Sequence, residues 1–419
     1  MLIEFRVENH RSVREEQALT FVVARAGDGS DPRPRQVDGL DEGILPAIVL
    51  YGANASGKSN VLSGIEFMRD AVLSSFRLWD RDTNIPRSPF AWGIERARSS
   101  LFEATFLIDQ TKFEYGFVVN DEVVLEEWIY AWPNGKKQVW LDRELDDFTF
   151  GSHLRGENQL IKEVTRSNSL FLSAASQHRH PQLQLIYNWF RNIASTGLTL
   201  RRNSNRSFRF MPHHLFQPRQ LFLFDTEDSS ELVRDRLKKL FFAADLGVVD
   251  VKLREMKDES AKAGTGMFRV SLQHQANDDG SWIDLEEESQ GTKTLFQMAT
   301  PIFSTLASGG LLVVDELESS LHPLLGQAIV QMFNCPKTNA MNAQILFTTH
   351  DTNLIGTTLG EPVLRRDQIW FTEKDKTGAT KLYPLTSFHP RKAENLERGY
   401  LQGRYGAIPF LGDISMLSE

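Results

Sequence analysis

The segment Gly52-Ala-Asn-Ala-Ser-Gly57-Lys58-Ser59 constrains what this chain can fold into more than any other. It follows the apolar run Ile44-Leu-Pro-Ala-Ile-Val-Leu-Tyr51, the kind of run a buried strand needs, and from Asn60 to Arg77 the pattern turns helical. A glycine-rich turn between strand and helix lets backbone N–H groups curl around a phosphate, and the helix N-terminus adds positive dipole. At this spacing Lys58 reaches the β- and γ-phosphate oxygens and the Ser59 hydroxyl is placed to ligate Mg²⁺. Gly52, Asn54, Gly57, Lys58, Ser59 and Asn60 are the candidate binding residues of this loop.

A second piece is Leu311-Leu-Val-Val-Asp315-Glu316, an apolar strand that ends in adjacent carboxylates. Asp315 is placed to hold Mg²⁺ through water, and Glu316 to polarise an attacking water. Asp315 lies 257 residues after Lys58, far too long for a simple RecA-like core, so something large is inserted between them. Ahead of the acidic strand, Glu288-Ser289-Gln290-Gly291-Thr292 opens an apolar helix, with 24 residues from Gly291 to Asp315. Behind it come Ser319-Ser-Leu-His322 and the strand Ile345-Leu-Phe-Thr-Thr-His350, with His350 35 residues past Asp315. Ser289 and Gly291 at a helix N-terminus make a second anion site without a lysine. One nucleotide cannot use both anion sites of one subunit. Two subunits packed head to tail solve this, each lending Ser289–Gly291 to the other's γ-phosphate.

Elsewhere the patterning is coarser. Leu2–Val7 reads as a strand, and residues 101–140 alternate as an antiparallel meander. Ser169–Gln177 reads as a strand or strand–helix junction. Residues 180–245 read as mostly helical, with Leu183, Leu185, Ile186 and Trp189 at helical spacing and a second helix near 229–243. Strands resume near 249–256, 267–274 and 282–285, and the last third alternates helix and strand. The formal charge of −8 argues against a wholesale electrostatic grip on nucleic acid. Arg201, Arg202, Arg206 and Arg209, interleaved with Phe208 and Phe210, are the local exception, read foremost as a solvated loop or oligomer contact. His178, His180, His213 and His214 lack the Cys or paired acids of a metal site. A single cysteine, Cys335, excludes an intrachain disulfide. With no apolar stretch of membrane-spanning length and no signal-like start, the expected location is the cytoplasm.

This order of motifs resembles the ABC-type ATPase heads of the SMC, RecF and OLD group. The resemblance implies an α/β fold: a P-loop sheet with an antiparallel β-subdomain and a helical insert. Gly52–Ser59 then corresponds to the Walker A loop, Ser289–Thr292 to the signature, Asp315–Glu316 to Walker B, Ser319–His322 to the D-loop and His350 to the switch histidine on the γ-phosphate. It also implies a Q-loop glutamine touching Mg²⁺ before the insert, for which Gln177 is the best match. Of the transporter signature only Ser289 and Gly291 are kept, which argues against a transporter subunit. The implied organisation is an ATPase lobe over 1–177, a helical insert over 178–248 and a second ATPase lobe over 249–419.

The opening Phe5-Arg-Val-Glu-Asn-His-Arg11-Ser12 and the ending Gly399-Tyr-Leu-Gln-Gly-Arg-Tyr-Gly-Ala-Ile-Pro409 are similar to bacterial AAA-type ATP-binding proteins of phage-defence operons. RloA-like and AriA-like proteins and the ATPase halves of OLD nucleases belong to that group. By this resemblance Arg11 and Ser12 lie near the adenine or ribose, the ligands are ATP and Mg²⁺, and the chain works as a homodimer or larger homo-oligomer. The 69 residues after His350 are too few for a TOPRIM nuclease domain. The expected effector is therefore a separate polypeptide, such as a TOPRIM-type nuclease, which this ATPase senses for, scaffolds or regulates; DNA or RNA is a further candidate partner. The alternative is a DNA-repair ATPase of SMC or RecF type that clamps DNA.

Overall fold

The computed structural model describes residues 1–24, 31–197, 237–242, 247–256, 267–274, 282–319, 321–357, 360–391 and 394–409. In chain order the strands are β1 (Leu2–Glu8), β2 (Gln17–Thr20), β3 (Ala47–Gly52), β4 (Ser100–Ile108), β5 (Thr111–Val119), β6 (Val124–Trp132), β7 (Gln138–Glu144) and β8 (Asp147–Phe150). They continue with β9 (Ile193–Thr196), β10 (Val248–Met256), β11 (Met267–His274), β12 (Trp282–Asp284), β13 (Leu311–Val314), β14 (Gln344–Thr348), β15 (Ile369–Lys374) and β16 (Thr380–Pro384). The helices are α1 (Lys58–Leu78), α2 (Asn158–Val164), α3 (Phe171–Gln177), α4 (Leu183–Arg191), α5 (Gln290–Ser308), α6 (Pro323–Asn334) and α7 (Leu396–Leu401).

The central sheet runs β16-β15-β3-β14-β13-β9. Four of its five pairings are parallel, and only the edge strand β16 runs antiparallel. The inner strands β3 and β13 are buried at every position, as strands covered on both faces require. Their period of two sorts them: Ile48, Leu50, Val313 and Leu346 join the core shared with α1, whereas Val49, Tyr51, Leu312, Val314, Ile345 and Phe347 join the core shared with α5 and α6. A second, antiparallel sheet, β2-β1-β4-β5-β6-β7-β8, covers the other side of α1. The order of layers is antiparallel sheet, helices, parallel sheet, helices. This is the expected α/β architecture with its antiparallel subdomain. The small sheet β10-β11-β12 packs against α5 through Val251, Val270 and Leu272.

Three expectations need correction. Ser169–Gln177 is not a strand leading to an insert: Phe171–Gln177 is a helix with six of its seven residues buried. Residues 178–248 are not wholly helical, because Ile193–Thr196 is a strand at the edge of the central sheet, paired in parallel with β13. Four residues are too short for any periodicity to reveal, and only the partner strand makes them β. The three sequential segments are therefore not three spatial bodies, since each supplies strands to the central sheet. Residues 237–242 are helical, while the rest of the second expected helix and the Arg201–Arg209 stretch lie outside the described residues. Finally, Ile369–Lys374 and Thr380–Pro384 extend the central sheet beside β3, a continuation the sequence reading did not assign.

Candidate nucleotide site

Parallel register brings the motifs together. Thr196, Val314, Thr348 and Thr372 end or nearly end their strands at one edge, paired through Val314–Phe347, Thr348–Leu50 and Thr372–Gly52. What leaves each C-terminal end then shares one crevice: the Gly52–Ser59 loop, the Asp315–Glu316 turn and His350.

The loop is a built cradle. Gly57 caps α1 in the left-handed region at φ 108°, and an added Cβ would meet Thr380 Oγ1 at 2.0 Å. Ala55, at φ 62°, makes a second left-handed step at the loop apex. Thr380 Oγ1 donates to Ser56 O at 2.9 Å and shares a 2.7 Å hydrogen bond with Ser12 Oγ. Asn60 Nδ2 donates to Ser12 Oγ at 2.6 Å, and Ser56 Oγ pairs with Thr372 Oγ1 at 2.6 Å. Lys58 is 6% exposed and turns its ammonium onto the loop's own carbonyls, Gly52 O at 2.8 Å and Ala53 O at 3.2 Å. Burial lowers its pKa, and the charges of Asp315, Glu318 and Glu316 oppose that shift.

The acidic side is equally fixed. Thr348 Oγ1 donates to Asp315 Oδ1 and accepts the Glu316 N–H, both at 2.7 Å. Glu316 sits at φ 54°, a strained position for a residue with a side chain, and strain of this kind is kept where a side chain must be aimed. Its carboxylate is exposed. Gly197, just past β9, lies so close beneath Asp315 that an added Cβ would be 2.4 Å from its carbonyl oxygen. The His350 imidazole has a lowered pKa, chiefly from burial and then from Lys58, against the pull of Glu318, Glu316 and Asp315. That shift favours the neutral imidazole.

A chain ending in these donors suits a phosphate chain with Mg²⁺: a lysine parked on carbonyls it can release, a hydroxyl at Ser59, and an oriented carboxylate at Asp315. Not every expected residue comes here. Gln177 ends α3, and the next residue, His178, meets Phe76 edge-on with ring centroids 6.1 Å apart. Phe76 lies 18 residues along α1 from Lys58, about 27 Å at 1.5 Å per residue. Gln177 is thus at the far end of α1 from the loop, because a helix rather than a strand carries it. Arg11, at φ 52°, donates its N–H to Ser88 O and acts electrostatically on Glu66 of α1. Ser289 caps α5, its Oγ accepting from Thr292 N at 3.2 Å. Among the described residues, the hydrogen bonds of Ser289 go to Thr292 and none to the loop. Ser319 and His322 are exposed, and Ser320 lies outside the described residues. The sequence reading missed Thr348, Thr372, Thr380, Glu318 and Tyr51. The β-branched and aromatic run Ile369–Thr372 was the available signal for Thr372.

The profile of a family described as "AAA domain, putative AbiEii toxin, Type IV TA system" matches residues 47–356. No curated protein sequence matches the chain. Among solved structures the chain is similar to an Smc head bound to the C-winged helix domain of ScpA, at TM-score 0.45 and 14% identity, covering 96% of this chain and 99% of that one. It is also similar to an Smc head domain with an extended coiled coil, bound to the C-terminal domain of ScpA derived from Pyrococcus furiosus. There the TM-score is 0.43 and the identity 12%, over 96% of this chain and 98% of that one.

Proposed function

The chain belongs to this AAA-domain family, and on that premise we propose that it binds ATP with Mg²⁺ at the Gly52–Ser59 loop and hydrolyses it. The observation that carries the reading is the convergence of Lys58, Asp315, Glu316 and His350 at one sheet edge, from motifs up to 292 residues apart. In this reading the Lys58 ammonium leaves the Gly52 and Ala53 carbonyls for phosphate oxygens, while the N-terminus of α1 faces the same charge. Ser59 and Asp315 would hold Mg²⁺, which supplies neutralising charge on the phosphate chain when bound. Glu316 accepts the proton of the attacking water, and the neutral imidazole of His350 donates a hydrogen bond to the γ-phosphate. Ser289 and Gly291 at the start of α5 complete the site of a second copy, so the working unit is a nucleotide-sandwich homodimer.

The wider role we infer is regulation of a separately encoded effector, a nuclease or toxin, in an anti-phage system, with the chain acting in the cytoplasm. The toxin–antitoxin wording of the family description and the flanking motifs support it. Among the described residues no helix is long and apolar enough to cross a membrane.

Purified wild type, Lys58→Ala and Glu316→Gln test the site. Lys58→Ala should lose ATP binding by equilibrium titration. Glu316→Gln should bind ATP as wild type does but turn over at least about 10²-fold more slowly, the usual contribution of a general base. Wild-type affinity and rate in both variants would refute the assignment. The same proteins incubated with ATP, Mg²⁺ or Mn²⁺, plasmid and tRNA should leave the nucleic acid intact. Cleavage that vanishes in Glu316→Gln would make this chain its own effector.

A further inference from the structure

Two side chains outside the set assigned above hold the backbone that carries His350. Glu318 lies two residues past Glu316, in the turn after the acidic strand. Its Oε1 accepts the His350 N–H at 2.6 Å. Tyr51 is the residue before Gly52, and its phenol donates to the Asp351 carbonyl at 2.8 Å. The dipeptide His350–Asp351 is therefore gripped at its entering N–H and its leaving C=O. One grip comes from the turn after β13, the other from the strand that feeds the phosphate loop.

Neither anchor is free to drift. Tyr51 is fully buried, with its ring centroid 5.5 Å from Tyr400 and 6.4 Å from Phe371. Glu318 is fixed by its bond to His350, and its other oxygen, Oε2, is buried with no hydrogen-bond partner. A carboxylate half-satisfied in this way is costly, and a cheaper apolar side chain would fill the same space. The short 3₁₀ turn Thr352–Leu354 is started by Asp351, whose Oδ1 accepts from Asn353 N at 2.9 Å, so the loop stiffens directly beyond the clamp.

We propose that Glu318 and Tyr51 are positioning residues that preorganise the switch loop and contribute to turnover only through His350. This rests on the reading that His350 acts on the γ-phosphate. A preformed hydrogen-bond donor loses least in reorganisation when charge develops, and a loop held at both ends supplies that.

The test is steady-state ATPase kinetics on the full chain for Glu318→Ala, Glu318→Gln and Tyr51→Phe, each alone and combined with His350→Ala. Glu318→Ala should lower kcat about 10-fold and Tyr51→Phe about 3-fold, with KM within about 3-fold, since the Lys58 ammonium is held by the Gly52 and Ala53 carbonyls rather than by either side chain. Glu318→Gln keeps an oxygen acceptor for the His350 N–H and should restore kcat to within about 3-fold of wild type. In the His350→Ala background neither Glu318→Ala nor Tyr51→Phe should cost anything further, a non-additivity that a merely structural role would not produce. The clamp is overturned if the losses multiply in that background, or if Glu318→Gln is as slow as Glu318→Ala. His350→Ala at the wild-type rate would instead refute the reading of His350, and the clamp with it. Should Glu318→Ala not fold, Tyr51→Phe removes a single oxygen and carries the same test.

Discussion

At the scale of single residues, His10 shows how much a buried polar atom can matter away from the site. Its Nε2 lies 2.9 Å from Ser63 Oγ, and that hydroxyl already donates to Asn60 O at 2.8 Å. Nε2 must therefore be the donor, leaving Nδ1 unprotonated; it is buried and has no partner. A proton on Nδ1 would find no acceptor between Phe67 and Phe102. Burial accordingly pushes the pKa down from 6.5 to about 3. The unfolded chain takes up a proton near pH 6.5 and the folded chain does not, so this residue erodes stability as pH falls from 6.5 toward 3. Between pH 7.5 and 5.5 the loss from His10 alone is on the order of 1 kcal/mol. His10→Gln keeps a donor to Ser63 and cannot protonate. Urea unfolding at the two pH values should show the variant losing about that much less than wild type. An identical pH dependence of the two proteins would mean that His10 is not held neutral.

At the scale of elements, α3 depends on a side chain 44 residues upstream. Glu127 of β6 accepts Phe171 N at 2.6 Å and Leu172 N at 3.0 Å, taking up two of the donors a helix start leaves unpaired. Both Glu127 and Arg143 have fully buried side chains, with NH1 and Oε2 3.4 Å apart. Arg143 also donates to Ser169 O at 2.7 Å and Leu145 O at 2.8 Å. Burial raises the Glu127 pKa, against the opposing effect of Arg143 and the two helix amides. Arg143→Ala would leave that carboxylate buried without its cation and strip the Leu145, Arg166, Ser167 and Ser169 carbonyls of a donor. We expect a loss of about 3–5 kcal/mol, measured by chemical denaturation, as for other buried pairs broken from one side. A loss below about 1 kcal/mol would show that water reaches Glu127. The same cap explains why Phe171–Gln177 is helical although its sequence suggested a strand: its first amides are satisfied from outside the segment.

At the scale of the whole molecule, the direction of α5 bears on the proposal that two chains make one site. Its C-terminus meets β13 through Gly309–Gly310, at the sheet end remote from Asp315. The helix has 19 residues, about 28 Å, and the four-residue strand spans only about 13 Å. Ser289 therefore projects well past the Asp315 edge, where a second copy can meet it. Ser289→Arg should leave ATP binding to the Lys58 loop intact and abolish the ATP-dependent shift from monomer to dimer in sedimentation, because bulk and charge would occupy the partner's phosphate contact. An unaltered shift with Glu316→Gln as the trapping background would contradict the composite site.

The sequence by itself determined the phosphate loop, the acidic strand, the helix opened by Ser289 and the strand ahead of His350. In each, a local rule suffices: glycine conformations and a helix start, or an apolar run long enough to be a buried strand. Periodicity also placed α1, α4, α6 and β10–β12 close to where they stand. What only the tertiary structure decided is what pairs with what. Four residues at Ile193–Thr196 became the edge strand of the central sheet because β13 offers an open edge, and Ile369–Lys374 found its place beside β3. Thr348, Thr372, Thr380, Glu318 and Tyr51 are unremarkable in sequence and acquire their roles only through hydrogen bonds to residues 32 to 368 positions away. Gln177 failed for the same reason in reverse: its local context matched, but the far end of a 21-residue helix separates it from the loop. Local rules act over one turn or one strand, whereas the crevice is a property of register, and register is set by the whole packed sheet.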